Sequence, residues 1–212
     1  MNRKHAAILL AALSPMVAQA SVHDEVSGDL ADARQEVRSE MAQERAKLDS
    51  GNLSLDGLHF GKGDRRGAAE DKSLPKAEIT PRGDMLVDGR AVALDAGQRR
   101  QLLDYRSQVI DIARAGIDAG EHAAMLAIDA TNVPLFQLIV GGLTGGLERR
   151  VEASVKRDIQ PAVLQICQRL PRLRDSQQAL AASVPEFRPY ATLGADDVAD
   201  CENDVRSDLA TR

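Results

Sequence analysis

Met85-Leu86-Val87-Asp88-Gly89-Arg90-Ala91-Val92-Ala93-Leu94-Asp95 carries two structural signals in succession. Apolar runs flank Asp-Gly, the dipeptide favoured in two-residue hairpin turns because both central residues must adopt positive φ. Asp95 then stands where a helix N-cap is wanted. Beyond it, Leu102, Leu103, Val109, Ile110, Ala113 and Ile117 form a broad apolar face at helical spacing. A hairpin that feeds directly into an amphipathic helix points to an α+β fold.

Upstream, Ala77 to Ile79 reads as another strand entering a turn at Pro81-Arg82-Gly83. Downstream, the patterning is helical. The Gly116 and Gly120 region is expected to loosen or end the first helix, and a second is expected from about Glu121 to Thr131, before Pro134. Val151, Val155, Ile159, Ala162, Val163, Ile166 and Leu170 make a long stripe that Pro161 should kink or divide. A short helix is expected over residues 176–183, and Asp196 and Asp197 suit the first turn of a final short helix. The expected fold is α+β, predominantly α: a small antiparallel hairpin element followed by a multi-helix body with one disulfide, over residues 77–212.

Toward the N-terminus the signals weaken. Residues 51–76 read as a polar flexible linker, with a short hairpin suggested by Leu53, Leu55 and Leu58-His59-Phe60 around Asp56-Gly57. Gly61-Lys62-Gly63 with Arg65 and Arg66 lacks the order of a phosphate-binding loop and reads as solvated chain. Residues 21–50 are charge-rich, with a thin stripe at Val26, Leu30, Ala33, Val37, Met41 and Leu48, interrupted at Glu44. That spacing predicts a solvated helix with a weak anchoring face, ahead of a partner-seeking helix or one strand of a short coiled coil.

Residues 1–20 have the layout of a cleavable secretory signal. Arg3 and Lys4 precede an apolar run from Ala6 to Ala18, and Ala18-Gln19-Ala20 places cleavage between Ala20 and Ser21. The run is shorter than the roughly 20 residues a spanning helix needs. The expected address is therefore the periplasm. Removing that segment leaves 25 basic against 32 acidic residues, a net charge of −7. An acidic chain has no bulk attraction for nucleic acid or anionic lipid. Aromatic residues are confined to Phe60, Tyr105, Phe136, Phe187 and Tyr190, without tryptophan, so base-stacking or sugar-stacking platforms have little to draw on. Cys167 and Cys201 read, in an oxidising compartment, as a structural disulfide in preference to two free thiols.

The run from Ile79 through Asp88-Gly89 to Leu94, then Gln98-Arg99-Arg100-Gln101 and Asp104-Tyr105, forms one ordered group of motifs. Gly142-Leu143-Thr144-Gly145-Gly146-Leu147, Ile166-Cys167-Gln168-Arg169 and Asp175-Ser176-Gln177-Gln178-Ala179-Leu180 continue it. In order and spacing they resemble the YggN-like family of uncharacterised exported proteins of Gram-negative bacteria, over roughly residues 77–182. The resemblance implies a periplasmic protein and supplies no catalytic residues. Members of that family place a cysteine near the mature N-terminus, whereas here the second cysteine is Cys201, so the resemblance implies a relocated partner for Cys167.

Candidate chemistry is sparse. Asp118 and His122 share a helix face with Glu121 beside them, but a metal would need ligands from elsewhere, and an exposed pair is the simpler reading. Asp196, Asp197, Asp200, Glu202 and Asp204 lack the spacing and glycine of a calcium loop. No cofactor or metal is expected. The sharpest candidate is the apolar stretch from Val133 to Leu147, where Gly141 with Gly145 and Gly142 with Gly146 repeat at four-residue intervals. Leu135, Phe136, Ile139, Gly142, Leu143 and Gly146 are its candidate contact residues, for core packing first, then a partner or oligomer contact, then lipid. The functional expectation is a non-catalytic periplasmic module binding an unidentified protein or envelope component. Its alternatives are a peripheral membrane protein using the glycine-rich segment and a hydrolase with a dispersed site. Oligomeric state stays open.

Overall fold

The computed structural model describes residues 17–56, 58, 74–131 and 146–210. Its elements are α1 (Val17–Ser50), β1 (Leu53–Ser54), β2 (Ala77–Ile79), β3 (Met85–Val87), β4 (Arg90–Ala91), α2 (Ala96–Thr131), α3 (Gly146–Ser183), a 3-10 helix (Pro185–Tyr190) and α4 (Ala195–Ala210). The fold is predominantly α with a small antiparallel sheet and one disulfide.

The sheet runs in the order β1-β2-β3-β4. Ala77 opposes Val87 and Ile79 opposes Met85, while Leu86 opposes Ala91. Ala77, Ile79 and Met85 are buried and Glu78 between them is not, the alternation expected of strands with one face on a core. Asp88 (φ 48°) and Gly89 (φ 74°) make the hairpin turn with both central residues left-handed. Gly83 (φ 80°) closes the preceding turn directly against α2, and a Cβ there would lie 2.7 Å from Leu103 Cγ. β1 pairs with β2 through Leu53 and Ile79. Of the short hairpin suggested around Asp56-Gly57, the Leu53 side pairs with β2, and Gly57 lies outside the described residues. His59 and Phe60 lie outside the described residues.

Helix α2 starts with a reciprocal cap. Asp95 Oδ1 accepts the amides of Gly97 (2.6 Å) and Gln98 (2.8 Å), and Gln98 Oε1 accepts the Asp95 amide (2.9 Å). The helix then continues for 36 residues through Gly116 and Gly120, about 54 Å at 1.5 Å per residue. The expected break there does not occur. Two glycines cost helix propensity of about 1 kcal/mol each, and packing on both neighbouring helices outweighs that. Helix α3 likewise passes Pro161 and Pro171 and absorbs the helix expected at 176–183. Both prolines sit at exposed positions, where a carbonyl that has lost its amide partner can be solvated. Helix α4 spans 16 residues, longer than the short final helix expected, with Asp197 Oδ2 accepting the Gly194 amide at its start.

The core fills the sheet end. On α2 it takes Leu102, Tyr105, Val109 and Ile112; on α3, Leu170, Leu173, Leu180 and Ala181. Leu102, Tyr105, Val109 and Ile112, and on α3 Leu170, Leu173, Gln177 and Leu180, recur at intervals of three and four that align one seam of each helix. Val184, Phe187, Tyr190 and Leu193 seal the seam's end, with Tyr105 and Phe187 edge-to-face at 5.2 Å. The Tyr190 hydroxyl donates to Pro75 O (2.7 Å), fastening the 3-10 helix to the approach to β2. Burial of Tyr105 drives its phenol far above the usual range. Gln177 occupies a seam position without exposure, its amide exchanging 3.4 Å contacts with both backbone groups of Leu193.

Over residues 113–129 of α2 and 157–166 of α3, none is buried. The two helices continue past the core for roughly 30 Å. Adding a Cβ at Gly116 or Gly120 meets nothing within 4 Å. Gly116→Ala and Gly120→Ala should each raise stability by about 1 kcal/mol. Urea denaturation followed by far-ultraviolet circular dichroism measures the gain; a loss at either position would mean that the helix needs the glycine there.

Candidate functional site

Cys167 and Cys201 form the disulfide, with Cα atoms 5.6 Å apart, joining α3 to α4. Cys167 is fully buried and Cys201 packs partly against the core. Closing a loop of that length stabilises the fold by roughly 4 kcal/mol in the chain-entropy account. The bridge is structural: it sits at the boundary between the filled core and the helices that extend beyond it.

The polar groups concentrate where α1 crosses α2. Leu30, Ala33, Val37, Met41 and Leu48 are half-buried along α1, as the thin stripe predicted. Glu44 is exposed and pairs with Lys47 (2.6 Å), so it does not interrupt the stripe; Arg45 takes the inward position instead. Arg45 Nη2 reaches both Asp118 and Glu121 at 2.6 Å. Hydrogen bonding to Glu121, then to Asp118, holds its guanidinium above the ordinary range. Arg34 meets Asp129 at 2.7 Å, and Asp49 pairs with Arg114. The partners run in opposite directions along the two helices, so α1 and α2 are antiparallel.

At the end of α1 the arrangement changes character. Arg106, 8% exposed, donates from Nη2 to the carbonyls of Leu48 (2.9 Å), Asp49 (3.1 Å) and Gly51 (2.7 Å). These are groups that a helix terminus leaves without amide partners, at the negative end of its dipole. No sequence rule singled out Arg106. Its one legible sign is a charge set beside Tyr105, Val109 and Ile110 on an otherwise apolar helix face.

Nearby, Asp111, Arg114, Ala115, Asp118, Gln165 and Arg169 line an open groove of about 400 Å³ between α2 and α3. Arg169 donates to Asp111 O (2.9 Å) and Arg114 pairs with Asp49, so the groove is a lattice of mixed charge. A smaller groove of about 350 Å³ lies between α1 and the sheet, with Leu48, Leu53, Leu58 and Ile110 on its walls. At the sheet's first turn, the Arg99 guanidinium bonded to Asp84 holds that carboxyl below the usual range.

His122 is exposed, and its neighbours Asp118 and Glu121 are occupied by Arg45. Asp197 serves the α4 cap, and Glu202 lies 3.5 Å from Arg206 one helical turn on. Among the described residues, no group of three potential metal ligands converges. Ala20 and Ser21 fall within the backbone of α1, and Gly146 is the first residue of α3. Leu135, Phe136, Ile139, Gly142 and Leu143 lie outside the described residues, as do Lys62, Arg65 and Arg66. Among the described residues, no helix is long and apolar enough to cross a membrane. Comparison with known protein families, curated proteins and solved structures finds no match.

Replacing Arg106 with Leu should cost about 3 kcal/mol, because three charge-assisted bonds to the end of α1 are lost. Arg106→Lys should recover part of that loss. The midpoints of urea unfolding for the two variants check both, and equal midpoints for Leu and wild type would remove the cap from the account.

Proposed function

We propose that this chain is an exported, non-catalytic binding protein of the Gram-negative envelope, acting through the far end of its helical hairpin. One observation carries the reading: the core occupies the sheet end, while α2 and α3 run on for roughly 30 Å, with no buried residue over 113–129 or 157–166. A binding module gains reach.

The extension leads from Thr131 to Gly146, and the segment joining them is the glycine-rich apolar stretch with Leu135, Phe136, Ile139, Gly142 and Leu143. The signal-like residues 1–20, the disulfide and the resemblance to the YggN-like family support the periplasmic address. The occupied state of Asp118 and Glu121 works against a hydrolase built around His122.

A second reading, contact with a membrane surface, draws on the apolar composition of residues 135–143. One set of experiments separates the two. Osmotic-shock fractionation should release the mature protein with the periplasmic contents. Crosslinking in intact cells should then trap an envelope protein, and Leu143→Asp should abolish the adduct with the fold intact. Vesicle flotation lost on the same substitution would favour the lipid reading instead. A monomer that crosslinks to nothing and does not float would sink both.

A further inference from the structure

Helix α1 is fastened to the body in two unlike ways. Its last turn is held by buried Arg106, bonded to three carbonyls. From Gly28 to Ser50, however, none of its own residues is buried. Ahead of that last turn a thin stripe, Leu30, Ala33, Val37 and Met41, is only half-buried, and the side-chain bonds to α2 are ionic: Arg34 with Asp129, Arg45 with Asp118 and Glu121, and Asp49 with Arg114. The first three pairs have side chains between 25% and 65% exposed. Ion pairs in contact with water are weak and are screened by salt, whereas the α2–α3 seam is apolar and is not.

We propose that α1 is an electrostatically held strap. As ionic strength rises it lifts from α2 at its N-terminal side, pivoting on the turn that Arg106 caps, while the sheet and the α2–α3 pair stay folded. Release frees the carboxylates of Asp118, Glu121 and Asp129 from their arginine partners and exposes Glu121, on the face of α2 that the arginines of α1 occupy. That strip selects its competitors by charge: a cationic helical peptide carrying arginines satisfies it as α1 does.

Hydrogen exchange of the full-length protein tests the strap. From about 10 mM to about 1 M sodium chloride the Debye length falls from about 30 Å to about 3 Å. Amides of residues 30–45 should lose protection by tenfold or more across that range, with residues 102–112 and 170–184 unchanged. Arg45→Gln should produce the same loss at low salt and flatten the salt response. A synthetic peptide of residues 28–50 added in trans at low salt should bind the Arg45→Gln protein more tightly than wild type. The proposal is overturned if α1 exchanges as slowly as the core seam and ignores both salt and Arg45→Gln. Equal loss of protection throughout the chain would overturn it too, since that is global unfolding.

Discussion

One guanidinium nitrogen, Nη2 of Arg106, receives the end of α1. A buried cation is costly on its own, and three carbonyls at the negative end of a helix dipole are the natural compensation. The constraint reaches in both directions. On one side it fixes where α1 stops along α2, and so which arginine meets which carboxylate. On the other it delivers the chain through Gly51 into β1, whose Leu53 pairs with Ile79 and whose neighbour Leu55 enters the core. Sheet register and helix docking are thus set from one point.

Around that point the molecule is unevenly filled. Tyr105, Phe187, Leu173 and Leu180 are almost wholly enclosed at the sheet end, where burial contributes most. Outward along α2 the residues include Gly116, Ala119, Gly120 and Ala123, too small to fill an interior. Local stability follows the density of buried contacts, so the sheet end and the outer hairpin differ in how readily they open. The division suits a body that stays folded while its extension is engaged.

What the sequence made legible was local. The Asp88-Gly89 turn, the Asp95 cap and the stripe on α1 each rest on residues a few positions apart, and each is in place. The misreadings share one physical cause. Gly116 and Gly120 are weak helix formers by intrinsic propensity, yet α2 runs through both between two flanking helices, and α3 is not divided at Pro161. Glu44 interrupts the α1 stripe in sequence alone; in the fold it is exposed, and Arg45 beside it is the side chain turned inward. Gln177 and Arg106 occupy interior positions that hydropathy assigns to the surface; their partners, Leu193 and the α1 carbonyls, are distant in sequence. Of the candidate contact residues in the glycine-rich stretch, Gly146 alone falls on a described element.

The disulfide has a mechanical consequence. Cys167 and Cys201, separated by 34 positions, close a covalent ring around the second half of α3, the 3-10 helix and the start of α4. Tension applied between the chain's two ends passes from Cys201 straight to Cys167 and leaves the ring slack. The backbone that carries Leu173, Leu180, Phe187 and Tyr190 therefore lies outside the covalent path of that tension. Cutting the bridge would release a tether of more than about 100 Å of contour length at 3.3–3.6 Å per residue. The half of the core contributed by the ring is, in effect, wired in parallel with the path of force.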